Sequence, residues 1–80
     1  MDVHNLIEVK PDVMLGKPVI KGTRIPVELI VRKLGEGATA EELLDGYANL
    51  TIKDIQAALI YAADTIEGEK FIYLKTGTNI

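Results

Sequence analysis

Apolar residues recur at two different periods along this 80-residue chain, and the change comes about a third of the way along it. In the first part, the short β-branched runs Ile7–Val9 and 19–21 are typical of strands. The segment Lys21–Arg24 offers glycine as the first central residue of a two-residue type II′ turn. We therefore expect a short hairpin in which Ile20 pairs with Ile25 across the turn.

Farther along, apolar positions recur every three or four residues, as on the buried face of a helix. The pattern predicts three helices, at about 26–34, 40–47 and 52–66. Pro26 suits the first position of the first helix because its φ angle is already fixed near the helical value. Thr39 with Glu42 matches a capping box, and Thr51 with Asp54 repeats the arrangement before the third helix.

Two short helices joined by a brief link, with another helix ahead of them, indicate a mainly α, homeodomain-like helix-turn-helix core. A generic three-helix bundle fits the same pattern. We expect one helix-turn-helix domain over residues 1–66, with an extended hairpin at 5–25. In the tail, 67–80, alternating residues predict a C-terminal strand at 70–75 that is able to pair with a partner chain.

The last helix is apolar on nearly its whole circumference. One stripe is expected to pack inward: Ile52, Ile55, Leu59, Ala62 and Ile66. A helix that is apolar all round needs cover beyond its own domain. The remaining apolar residues therefore predict an oligomer interface, which we assign to Ala57, Ile60 and Tyr61 and to Phe71 and Tyr73 of the tail.

The start of the same helix allows a different interpretation. In a helix-turn-helix it would enter the major groove of DNA, where Lys53 and Gln56 suit base edges. Asp54 lies beside them and would then face phosphates, which weakens this interpretation. A subunit interface and direct DNA reading both remain open.

The net charge of −3 is unevenly distributed. Residues 1–33 carry six cations against four acids, whereas residues 34–80 carry three against eight. DNA-binding proteins are usually basic overall, because neutralising phosphates supplies much of their affinity. Any contact with a polyanion is therefore expected in the first half of the chain.

The stretch GKPVIKGTRIPV, Gly16–Val27, combines glycines with three cations. Glycine lets the backbone approach an anion closely, but the spacing is not that of a nucleotide-binding P-loop. The turn-forming roles of Gly22 and Thr23 and the helix-starting role of Pro26 account for most of the stretch without a ligand. They give no reason for the presence of Arg24. Candidate contacts to nucleic acid or to a protein partner are Lys17, Lys21, Arg24, Arg32, Lys33, Lys53 and Gln56.

Eighty residues without cysteine have no disulfide to supplement a small core, so self-association is the expected source of stability. The chain shows neither a signal segment nor an apolar run of about 20 residues, which predicts a cytoplasmic protein. Its one histidine, His4, lies in a terminal segment, and no nucleophile–base pair is apparent. We expect no enzyme, no metal and no cofactor.

Three segments carry a family resemblance: GKPVIKGTRIPV at 16–27, GATAEELL at 37–44 and LTIKDIQAALIYA at 50–62. Over about residues 5–66 the chain resembles the domain-of-unknown-function 433 family of small prokaryotic proteins. The resemblance implies a homeodomain-like helix-turn-helix, a cytoplasmic location and self-association. It also implies an antitoxin-like role beside a PIN-type nuclease toxin, whose acidic pocket holds a divalent metal.

The leading hypothesis is therefore an antitoxin-like, DNA-binding homodimer of a type II toxin–antitoxin pair. In this hypothesis cations of the hairpin and first helix meet phosphate or the acidic pocket of the toxin. The alternative is a homo-oligomeric protein-interaction module with the same trihelical fold that never touches nucleic acid.

Overall fold

The computed structural model describes the backbone of residues 5–75 and the side chains of residues 5–68. Its elements are β1 (Ile7–Val9), β2 (Pro18–Ile20), α1 (Val27–Gly35), α2 (Ala40–Gly46) and α3 (Ile52–Lys75). A two-stranded antiparallel sheet precedes three helices, and residues 47–51 link α2 to α3. The predicted mainly α fold with an N-terminal hairpin is confirmed.

The two strands pair in a register that places Ile7 opposite Ile20 and Val9 opposite Pro18. The predicted contact between Ile20 and Ile25 is also present, because the Ile20 N–H donates to the Ile25 carbonyl over 2.9 Å. The expected turn type is wrong. The Thr23 N–H bonds to the Ile20 carbonyl, so Gly22, with φ of +78°, is the second central residue, as in a type II turn.

Both predicted helix caps before α2 and α3 are confirmed. The Thr39 hydroxyl accepts from the Glu42 N–H over 3.1 Å, and the Glu42 carboxylate accepts from the Thr39 N–H over 2.8 Å. Thr51 and Asp54 exchange the equivalent pair of bonds. Pro26 precedes α1 as its N-cap with an extended backbone, rather than occupying the first helical position.

The core is a single cluster to which the sheet and all three helices contribute. Its buried members are Ile7, Ile20, Val27, Ile30, Leu43, Leu50, Ile55, Ala57 and Ala58. Leu50 lies just before the cap of α3 and Ile55 lies in its first turns, so their shared burial fixes the angle at which α3 leaves the link.

The predicted inward stripe of α3 is largely wrong. Ile55 is buried and Ala62 is half-buried, as expected. The other members are exposed: Ile52 (48%), Leu59 (43%) and Ile66 (64%). The buried side is built instead on Ala57 and Ala58, because small side chains allow the closest approach of neighbouring elements to the helix axis.

The predicted strand at 70–75 is also wrong, because α3 continues through these residues to Lys75 and not to about residue 66. No proline interrupts this stretch, and the single Gly68 is a tolerated cost in a helix. A helix satisfies its backbone hydrogen bonds within the segment, whereas a strand requires a neighbour.

Candidate functional site

Three of the predicted cations converge on one open hollow beside the hairpin, of about 530 Å³. We call it the cationic hollow. It is lined by Met14, Lys17, Arg24, Pro26, Glu28, Leu29 and Arg32. Lys17, Arg24 and Arg32 come from the loop before β2, the turn after it and the helix α1, so the fold assembles a group that is dispersed in sequence.

One carboxylate already lies within the hollow. Lys17 Nζ donates to Oε1 of Glu28 in an exposed ion pair. That hydrogen bond and the charge of the same ammonium, with a smaller contribution from Arg32, lower the pKa of Glu28 below its ordinary value of 4.5. Arg24 and Arg32 form no ion pair with a carboxylate among residues 5–68, so their guanidinium groups are available to an external anion.

The backbone on both sides of Arg24 is fixed by local hydrogen bonds. The Thr23 hydroxyl donates to the Ile20 carbonyl over 2.8 Å and accepts from the Ile25 N–H over 3.0 Å. The Gly22 N–H donates to Glu8 Oε1 over 3.0 Å. These bonds hold the turn against β1 and so set the position from which the Arg24 side chain extends.

A left-handed turn at Met14–Gly16 forms part of the same surface. Met14, Leu15 and Gly16 have φ angles of +49°, +58° and +82°. For residues other than glycine this conformation costs about 1–2 kcal/mol each. Leu15 is nevertheless 94% exposed, so its apolar side chain gains nothing within the chain that would offset the strain.

Sequence reasoning missed this turn as part of the site. Met14 and Leu15 lie in a loop with neither helical nor strand periodicity, so no pattern singled them out. The available signal was an apolar pair directly before glycine, in a segment that otherwise reads as a loop. Backbone strain at an exposed apolar residue is a feature that tends to mark functional surfaces.

The remaining predicted cations lie elsewhere. Lys21 is not among the residues that line the hollow. Its charge helps to lower the pKa of Glu8, which is lowered chiefly by the hydrogen bond from the Gly22 N–H. Lys33 lines a second hollow of about 480 Å³ between α1 and α2. Lys53 and Gln56 are exposed near the start of α3.

The sequence led us to expect that Asp54 faces outward beside Lys53 and Gln56, and this expectation is wrong. Its side chain is buried, and Oδ2 accepts from the Thr51 N–H over 3.0 Å. The carboxylate therefore serves as a helix cap and is turned away from solvent. This removes the expected repulsion between Asp54 and a nucleic-acid phosphate.

The residues predicted to form the oligomer interface differ in how exposed they are. Ala57 is 0% exposed and belongs to the core of its own chain, so its assignment to an interface is wrong. Ile60 is 38% exposed, whereas Tyr61 packs half-buried against the core and lines a groove of about 440 Å³ between α1 and α3. The side chains of Phe71 and Tyr73 lie outside the described residues.

In the part of the chain that the structure describes, no helix is at once long enough and apolar enough to cross a membrane. No group of three or more His, Asp or Glu side chains in that part of the chain is placed to hold a metal ion.

Comparison with known proteins gives three matches. The profile of a family described as "Protein of unknown function (DUF433)" matches residues 7–62. The uncharacterized protein y4eO of Sinorhizobium fredii (strain NBRC 101917 / NGR234) is 30% identical over 71 residues, which cover 88% of this chain and 32% of that protein.

A solved structure is also similar. It is the crystal structure of a DUF433 member protein from Anabaena variabilis ATCC 29413, which is 38% identical and superposes with a TM-score of 0.76. The superposition covers 82% of this chain and 65% of the other. The chain thus spans about a third of the length of y4eO and somewhat under two thirds of the solved relative.

Proposed function

We propose that this chain, which belongs to the DUF433 family of unknown function, is the antitoxin-like member of a toxin–antitoxin pair and binds an acidic partner protein through the cationic hollow. The partner class is the PIN-type nuclease suggested by the family resemblance. Location in the cytoplasm and self-association belong to the same proposal. The chain itself is assigned no catalytic role.

One observation carries the proposal: Arg24 and Arg32 line the same hollow as Met14. The next residue in the chain, Leu15, has a strained left-handed backbone and an almost fully exposed side chain. Arginine binds carboxylates through two parallel hydrogen bonds. An exposed apolar residue beside arginines is typical of a protein interface, where apolar anchors and arginines carry most of the binding energy.

The distribution of charge favours a protein partner over DNA at this surface. Glu41, Glu42 and Asp45 are all exposed on α2, which in a helix-turn-helix crosses the DNA backbone. Three carboxylates at that position repel phosphates. An acidic protein pocket that docks on the hollow meets cations and apolar side chains without requiring α2 to approach the partner.

The experiment is a binding titration against the protein encoded by the neighbouring reading frame, over a salt series. The variant Arg24→Ala/Arg32→Ala should weaken binding by about 30-fold or more, because contacts between buried charges at interfaces cost about 2–5 kcal/mol when one partner is removed. The matched control Lys33→Ala removes an exposed cation from the other side of α1 and should leave affinity unchanged. Equal affinity of the double variant and wild type would refute the role of the hollow.

A second candidate function is DNA reading by the start of α3. The burial of Asp54 favours it, because Lys53 and Gln56 then present donors without an outward carboxylate beside them. A band shift on the chain's own upstream DNA, repeated over a salt series, tests it. Loss of a salt-sensitive shift in Lys53→Ala/Gln56→Ala would support this candidate, and the absence of any shift would contradict it.

A further inference from the structure

The outer face of α3 carries a continuous row of exposed residues, which we call the outer seam: Ile52, Gln56, Leu59, Ala63 and Ile66. Their spacing alternates between four and three residues. This is the spacing of the two core positions of a coiled coil, which repeat every 3.5 residues on average. Three of the seven large hydrophobic residues exposed within the described part of the chain lie in this seam.

The chain's own core does not cover the seam. Ala57 and Ala58 face inward, on the opposite side of the helix, and every residue from Ala63 to Gly68 is exposed. A helix of 24 residues is about 36 Å long, and the seam from Ile52 to Ile66 occupies about 21 Å of that length. At its far end the seam borders the groove between α1 and α3, which Ile66 lines while 64% of its surface stays exposed.

The residues flanking the seam indicate what covers it. Lys53, Ile60 and Glu67 lie at intervals of seven residues along one edge, and all three are exposed. If a second copy of α3 lies antiparallel, Lys53 of each copy lies beside Glu67 of the other, and Ile60 meets its equivalent at the centre. A parallel pairing puts Lys53 level with Lys53 and Glu67 level with Glu67, which is repulsive.

We infer that two copies of this chain form an antiparallel dimer along the outer seam of α3, with Ile60 near the two-fold axis and reciprocal Lys53–Glu67 contacts at the two ends. The surface is self-complementary under a two-fold rotation, as a symmetric dimer requires. Small Ala63 within the seam allows the two helices to approach closely, and both ends of the interface gain opposite charges.

This inference specifies the self-association included in the proposed function, and it uses none of the residues of the cationic hollow. It also has a consequence for the second candidate function. Lys53 and Gln56 contact the partner copy in the dimer, so they are not available to DNA bases there. Dimer formation and base reading by the start of α3 thus exclude each other.

A charge-exchange experiment tests the orientation. Sedimentation equilibrium should show a dimer for wild type and a dissociation constant raised about tenfold in Lys53→Glu and in Glu67→Lys, because each variant converts two attractive rim contacts into repulsive ones. The combined variant Lys53→Glu/Glu67→Lys should recover the wild-type constant. Lys33→Glu, the matched charge reversal outside the seam, should not change it.

Two further results test whether the outer seam is the dimer interface. Leu59→Asp should give a monomer that keeps its helical circular dichroism, because it places a charge in the middle of the seam without touching the core. A wild-type monomer at all concentrations, or no recovery in the combined variant, would overturn the inference. Arg24→Ala/Arg32→Ala should remain dimeric, so failure of the hollow and failure of the seam give different results.

Discussion

The carboxylate of Asp54 accepts a hydrogen bond of 3.0 Å from the backbone N–H of Thr51, while the Thr51 hydroxyl accepts one of 3.2 Å from the backbone N–H of Asp54. The exchange closes the first turn of α3 with its acidic partner buried. Two features therefore depend on one residue: the stability of the longest helix and the absence of an outward carboxylate beside Lys53.

Asp54→Ala should lower the free energy of unfolding by about 1–2 kcal/mol, because it removes a buried cap and leaves the Thr51 N–H without its partner. Urea denaturation measures this. Glu42→Ala removes the corresponding cap of α2 in an exposed setting and should cost less, about 0.5–1 kcal/mol. A larger loss in Glu42→Ala than in Asp54→Ala would contradict the importance of burial at this cap.

Leu15→Gly should raise the free energy of unfolding by about 0.5–1 kcal/mol, because glycine adopts the left-handed backbone without strain and almost no apolar burial is lost. The same variant should weaken binding to the acidic partner protein that we propose. Val13→Gly is the matched control, since Val13 has an extended backbone (φ −115°) and should be destabilised by glycine. Destabilisation of both variants would mean that the turn stores no strain.

Glu8→Gln should lower stability near neutral pH, because it removes the carboxylate charge that accepts from Gly22 and faces Lys10. The folded-state pKa of Glu8 lies below its ordinary value of 4.5, so the contribution is present above pH 4.5 and disappears as the pH falls through the lowered pKa. Urea midpoints of wild type and variant should therefore converge in acid. A gap of constant size on both sides of pH 4.5 would exclude a contribution from the charge.

Local chemistry made part of this structure predictable from sequence. The caps at Thr39 and Thr51 depend on residues three positions away, so the spacing alone identified them. The strands and helices were predicted from the spacing of apolar residues along the chain, and Gly22 was correctly placed in a turn. Its turn type was not predictable, because the decisive bond joins Thr23 to Ile20 and not the residues first assumed to flank the turn.

The faces of α3 could not be assigned in the same way. Two stripes of apolar residues run along the helix, and both have helical spacing. The spacing of apolar residues therefore does not determine which stripe packs inward. Close packing selects the side with Ala57 and Ala58 and leaves the bulkier Leu59 and Ile66 outside. The cationic hollow was equally hidden, because it depends on the contact of α1 with the loop before β2.

The most direct measurement is the distance between spin labels on two copies of the chain. The chain has no cysteine, so a single engineered Ile60→Cys or Glu67→Cys accepts one label at a defined position. An antiparallel pair separates the two Glu67 positions by about 21 Å along the axis, while the Ile60 positions stay level. We expect a short distance at Ile60 and a clearly longer one at Glu67; equal distances at the two positions, or no distance between copies at any concentration, would contradict the antiparallel dimer.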